Sequence, residues 1–206
     1  MRNKENINQV AELQPDYMGF IFYSPSKRFA GDILDEEQIT SLPSHIKKTG
    51  VFVNEKIDQI RSTINKYVLD AIQLHGDESP DDVKNIYVQN NNPHAIHVKI
   101  IKAFAIDANF DFEKLEVYKT FCDYFLFDTK TPEHGGSGQK FDWKILNKYD
   151  NEIPFFLSGG IGPDDIEEIK KLDLNIYAID INSKVETAPG LKDLSKIQQI
   201  ITFLNK

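Results

Sequence analysis

One feature constrains this chain above all others: short, unbroken apolar runs alternate with segments of helical periodicity from one end to the other. A first helix opens at Asn3, which suits an N-cap, with Ile7, Val10 and Leu13 at helical spacing. The apolar runs are YMGFIFY (17–23), TGVFVN (49–54), LDAIQLHG (69–76), HVKIIKAF (97–104), CDYFLFDT (122–129), IPFFLSGG (153–160) and NIYAIDIN (175–182). Between them the pattern predicts helices through DEEQITSL, EKIDQIRSTINKY, SPDDVKNIYVQ, FEKLEVYKTF, FDWKILNKY and PDDIEEIKKL. LKDLSKIQQIITFL closes the chain as a further helix. Asp81 and Asp82 suit a first helical turn, as does Pro163.

Apolar runs without strict alternation fit parallel strands covered on both faces. Repeated strand–helix units leave an open doubly wound sheet or a (β/α)8 barrel. No GxGxxG follows the first run, which weakens a dinucleotide-binding sheet. Arg28, His75, Asp128, Gly159 and Asn182 all fall after different strand ends, and a site gathered from many strand ends is the barrel pattern. The expectation is therefore an α/β (β/α)8 TIM barrel filling residues 1–206 as a single domain. A barrel needs eight strands and the runs number seven, so the missing one is expected ahead of the first helix. Its absence would expose the edges of the runs at 17–23 and 175–182. The gap would be filled by a partner chain, closed by distortion or left open.

The chain has 206 residues and a formal charge of −8, which disfavours nucleic acid and anionic membrane as partners. No run approaches the roughly 18 apolar residues of a membrane span, and no export signal heads the chain, so a cytoplasmic protein is expected. The one cysteine, Cys122, allows no internal disulfide and reads as an inert buried thiol. The five histidines show no metal-ligand spacing, so no metal is expected.

LSGGIGPDD (157–165) sets Gly159 and Gly160 between a strand and a helix, a phosphate cradle or an ordinary tight turn. Asp180, Asn182 and Ser183 at the next strand end could complete such a cradle, at the place where barrels commonly bind phosphate. Asp128 ends an apolar strand, where desolvation fits a carboxyl for general-acid work; a loop or helix cap is the alternative. Gly135 and Gly136 sit in a GGSG loop that could fold over a ligand or serve as a plain linker. Arg28, beside Lys27, could grip a carboxylate through two bonds or lie solvated. His75, close to Gln73, could touch a ligand or make a structural hydrogen bond.

The order PDYMGFIFYSPSKRF, GVFVN, IQLHGDES, IKAF, FLFDT, GGSGQKFDW, LSGGI, DINSKVE and PGLKD resembles the phosphoribosylanthranilate isomerase family from Met1 to the last helix. That resemblance implies an Amadori rearrangement of N-(5-phosphoribosyl)anthranilate in tryptophan biosynthesis, needing no cofactor. It implies a small phosphorylated substrate as sole partner and a monomer or homodimer. Asp128 matches the general acid, Arg28 the holder of the anthranilate carboxylate, and Gly159, Gly160, Asn182 and Ser183 the phosphate loops. His75, Gly135 and Gly136 fall in motifs expected to meet substrate, and Asp180 in those meeting phosphate. The family's serine–serine–glycine turn reads Asn182, Ser183, Lys184 here, so Lys184 would adopt a glycine's conformation or lend its ammonium to phosphate. Met1–Arg2 match the end of a K-x-C-G-M-R strand whose cysteine is the general base; on this expectation the chain as given lacks that base and turns over poorly. Cys122 is no substitute, since the strand between it and Asp128 spans about 20 Å. The other readings are a non-catalytic barrel that binds a phosphorylated ligand and another phosphosugar enzyme, such as an indole-glycerol-phosphate synthase.

Overall fold

A computed structural model describes residues 1–90, 97–130 and 140–204. Helix α1 (Lys4–Glu12) starts where expected: the Asn3 side chain accepts the Asn6 N–H at 2.8 Å, and Ile7 and Val10 are buried. Strand β1 (Tyr17–Ile21) leads to α2 (Glu36–Thr40), whose N-cap Asp35 accepts from Glu37 and Gln38. After β2 (Lys47–Phe52) comes α3 (Ile57–Tyr67), which ends as Val68 turns left-handed at φ 47°. Strand β3 (Ala71–Leu74) is followed by α4 (Pro80–Asn90), opened by reciprocal bonds between Ser79 and Asp82. Then come β4 (Lys99–Ile106), β5 (Tyr124–Thr129), β6 (Phe155–Leu157) and β7 (Ile176–Ile179). A short α5 (Ile166–Ile169) lies between β6 and β7. A small hairpin, β8 (Glu186–Ala188) with β9 (Leu191–Lys192), precedes α6 (Leu194–Leu204).

Two segments expected as α-helices are 3₁₀ instead: Phe112–Phe121 and Trp143–Lys148. The reason lies in their period. Phe112, Leu115, Tyr118 and Phe121 recur every third residue, as do Trp143, Leu146 and Tyr149. A helix with three residues per turn stacks such positions on one face, whereas an α-helix would spiral them away. Pro163 does open a helical turn, though a brief 3₁₀ one (Pro163–Asp165) running into α5.

The seven main strands pair in chain order, all parallel, from β1 to β7. Among the described residues, β1 and β7 are the two edges of that sheet. The seam between them is bridged by side chains. The hydroxyls of Tyr17 and Tyr177 meet at 3.2 Å, and the Met1 backbone nitrogen donates to Gly19 O at 2.8 Å. The Asn6 side chain behaves like a strand peptide toward β9, donating to Lys192 O at 3.0 Å and accepting Lys192 N–H at 2.7 Å.

The larger core lies between sheet and helices and includes Phe20, Phe52, Phe125, Phe127 and Phe155, all fully buried. Each such side chain contributes about 1.5–3 kcal/mol through removal from water. A smaller cluster, Ala71, Ile101, Ala103, Leu126 and Phe156, fills the inner face of the sheet. Successive residues of a strand point to opposite faces, so Gln73 follows Ala71 inward on β3 and Asp128 follows Leu126 on β5.

Candidate active site

The inward positions just beyond that inner cluster open into a cavity of about 610 Å³, whose lining includes Arg28, Gln73, His75, Asp128, Ser158 and Asp180. Its size suits a small organic ligand.

On one side the site is built from β3, β4 and β5. Asp128 Oδ2 lies 3.3 Å from His75 Nε2, and Asp128 Oδ1 accepts the Thr129 N–H at 2.8 Å. His75 Nδ1 in turn faces the Gln73 amide nitrogen at 2.6 Å. Beneath them, Lys102 is 3% exposed, its ammonium donating to the carbonyls of Gly76 and Ala103 at 2.9 Å and pairing with Glu78 at 3.1 Å. The Glu78 carboxylate accepts the N–H groups of Asn54 and Gly76. This buried pair ties the loop after β3, and with it His75, to β2 and β4. Gly76 is required there, because a Cβ would lie 2.7 Å from the Asn54 backbone nitrogen.

On the other side, Arg28 is already engaged. Its Nε lies 2.9 and 3.1 Å from the Glu186 oxygens and its Nη2 2.8 Å from Oε2. Glu186 also accepts from Gly190 N–H at 3.1 Å and Lys192 Nζ at 3.3 Å. Burial works to raise the Glu186 carboxyl, but Arg28 and Lys192 outweigh it and hold the group below its ordinary value. Lys192 is pushed down by burial despite Glu186 and Asp180, and its ammonium donates to Asn182 Oδ1 at 2.8 Å. Two of the three guanidinium nitrogens of Arg28, Nε and Nη2, are thus committed to Glu186.

Gly159 and Gly160 have φ of 100° and 63°, and a Cβ on Gly159 would lie 2.9 Å from Thr129 N and 3.1 Å from Asp128 Oδ1. Only glycine lets this turn pass beside the acid. Both glycines line the cavity together with Asn182 and Ser183. Asp180 lines the same cavity, with its N–H bonded to Leu157 O and its carboxyl accepting from Ser158 Oγ at 3.2 Å. Burial, then repulsion from Asp128, raises its carboxyl above the ordinary value. Lys184 lies in a 3₁₀ turn (Ser183–Val185) and needs no left-handed backbone. Gly135 and Gly136 lie outside the described residues.

Cys122 is buried away from the cavity, and burial pushes its thiol up to about 12, as suits an inert residue. Among the described residues no three potential ligands gather to hold a metal. Sequence reasoning gave no role to Glu78, Lys102, Ser158, Glu186 or Lys192. A signal existed for Lys102, a cation set between Ile101 and Ala103 in a mostly apolar strand, which can be buried only with partners.

Comparison with known proteins bears on this geometry. The family described as N-(5'-phosphoribosyl)anthranilate (PRA) isomerase matches residues 1–202. The chain is 44% identical to N-(5'-phosphoribosyl)anthranilate isomerase of Parabacteroides distasonis over 203 residues, 98% of this chain and 89% of that protein. The crystal structure of phosphoribosyl anthranilate isomerase from Thermotoga maritima matches 100% of this chain and 95% of its own, with TM-score 0.83 and 32% identity. A phosphoribosyl anthranilate isomerase solved with reduced 1-(o-carboxyphenylamino)-1-deoxyribulose 5-phosphate matches with TM-score 0.80 and 28% identity, covering 100% and 95% of the two chains.

Proposed function

This chain belongs to the N-(5'-phosphoribosyl)anthranilate isomerase family, and from that premise we propose how its residues perform the family's rearrangement. The family's enzymes are isomerases of tryptophan biosynthesis. The observation that carries the reading is Asp128 at a strand end inside the cavity, backed by His75 at 3.3 Å.

In this reading Asp128 gives a proton to the ribose ring oxygen of the substrate. The ring C–O bond breaks, the anthranilate nitrogen supplies the electron pair, and a protonated Schiff base results. Loss of the C2 proton then gives an enolamine, which takes up a proton at C1 and loses the one on its C2 hydroxyl to become the ketone. Arg28, aimed by Glu186, offers its free edge to the anthranilate carboxylate. Gly159, Gly160, Asn182 and Ser183 hold the phosphate, with Lys192 supplying charge behind Asn182. The proton acceptor at C2 matches no cysteine of the cavity, since Cys122 lies elsewhere. The same reading expects a cytoplasmic enzyme, monomeric or homodimeric, with one phosphorylated small substrate and no nucleic acid, membrane, metal or cofactor.

Calorimetry with the reduced deoxyribulose phosphate, beside an isomerisation assay, tests this. The chain should bind the analogue, and Asp128→Asn should still bind it while turnover falls by about 10²–10⁴. Failure to bind the analogue would overturn the assignment, and binding without turnover would mark a pure binding barrel.

A further inference from the structure

We propose that Gln73 is a positioning residue that fixes His75 as the neutral tautomer with its proton on Nε2, so that Asp128 faces a hydrogen-bond donor and not a cation. The inference deepens the reading of Asp128 as the acid and rests on it. Two contacts at opposite ends of one ring carry it. Nε2 faces a carboxylate oxygen at 3.3 Å, and a carboxylate can only accept. Nδ1 faces the Gln73 amide nitrogen at 2.6 Å, and that nitrogen can only donate. A neutral imidazole with Nε2–H and a bare Nδ1 satisfies both contacts. An imidazolium satisfies one and sets an N–H against the amide N–H at the other.

Gln73 is buried on β3, two residues from His75, so strand alternation aims both side chains into the same cavity. The charged groups around the ring are few. Asp128 faces it from β5, and the Asp180 carboxyl, at the end of β7, lines the same cavity. The distinction matters for the acid. A cationic ring would hold Asp128 as a salt-bridged carboxylate, whereas a neutral ring donates one hydrogen bond and leaves the carboxyl able to take up and deliver a proton.

The test is nitrogen-15 NMR of the full chain labelled at histidine, with His75 identified by the loss of its signals in His75→Asn. The wild-type ring should show a protonated Nε2 and an unprotonated Nδ1 at neutral pH. Gln73→Glu, equal in size but accepting at Nδ1, should convert the ring to the doubly protonated form. Gln73→Met, which removes the donor, should give a mixture of tautomers. A wild-type ring protonated at Nδ1, or a Gln73→Glu ring unchanged from wild type, would overturn the proposal. The wild-type spectrum decides the first point even if neither variant folds. None of these readings needs turnover. A chain that shows the expected tautomer yet binds no deoxyribulose phosphate analogue would refute the assigned function and leave the positioning role standing.

Discussion

The two halves of the cavity are held by different means. On the β3–β5 side each strand is paired to neighbours on both edges, and the loop bearing His75 is fastened by a fully enclosed pair, Lys102 at 3% and Glu78 at 5% side-chain exposure. On the side where β7 and β1 approach, no backbone ladder joins the strands among the described residues. There Arg28, Glu186, Lys192 and Asn6 span the seam, reaching from α1 and the loop after β1 to the β8–β9 hairpin. Peptide ladders fix geometry cheaply and evenly; a charged network fixes it only while every charge keeps its partner. Asp128 thus stands on the ladder-built half, and Arg28 on the charge-built half.

Mutations can break this comparison. Glu78→Ala strands the Lys102 ammonium in a closed interior and should cost about 3–5 kcal/mol of unfolding free energy, read by urea titration. Glu186→Ala should cost less, about 1–3 kcal/mol, because Arg28 can relax into the cavity. It should also weaken analogue binding, by about tenfold or more, as the guanidinium loses its aim. A Glu186→Ala penalty above that of Glu78→Ala would reverse the assignment of the seam as the more adaptable half.

The smallest effect sharpens the comparison through pH. Asp180 is raised in the folded protein by burial and by Asp128, so the native state binds its proton more tightly than the unfolded chain does. That contribution is present below the unfolded value of about 4 and is lost as pH rises through the folded value. Asp180→Asn should therefore raise Tm at neutral pH, with the gain shrinking toward zero below about pH 4. A gain that grows on acidification would show that Asp180 is paired, not repelled.

Much of this was legible beforehand. The alternation of apolar runs located all seven strands of the parallel sheet, because burial on both of its faces demands just that composition. The Asn3 cap and the inert Cys122 also stood as expected. Helix type was less visible, since the three-residue repeats of 112–121 and 143–149 passed for α-periodicity until their register was seen.

Residue types and spacing by themselves determined which strand ends bear polar groups, and so that Asp128, His75, Arg28 and the glycines would share one cavity. They could not say which charges spend themselves on one another. Glu186 lies far along the chain from Arg28, Lys102 lies in a strand after Glu78, and Asp180 follows Asp128 by two strands. Parallel pairing and the crossing of the seam bring those groups within bonding distance, because electrostatic and hydrogen-bond energies depend on separation in space and not along the sequence. The tertiary structure therefore decided that Arg28 is engaged by Glu186, that Asp180 feels the charge of Asp128, and that Gln73 faces His75 Nδ1.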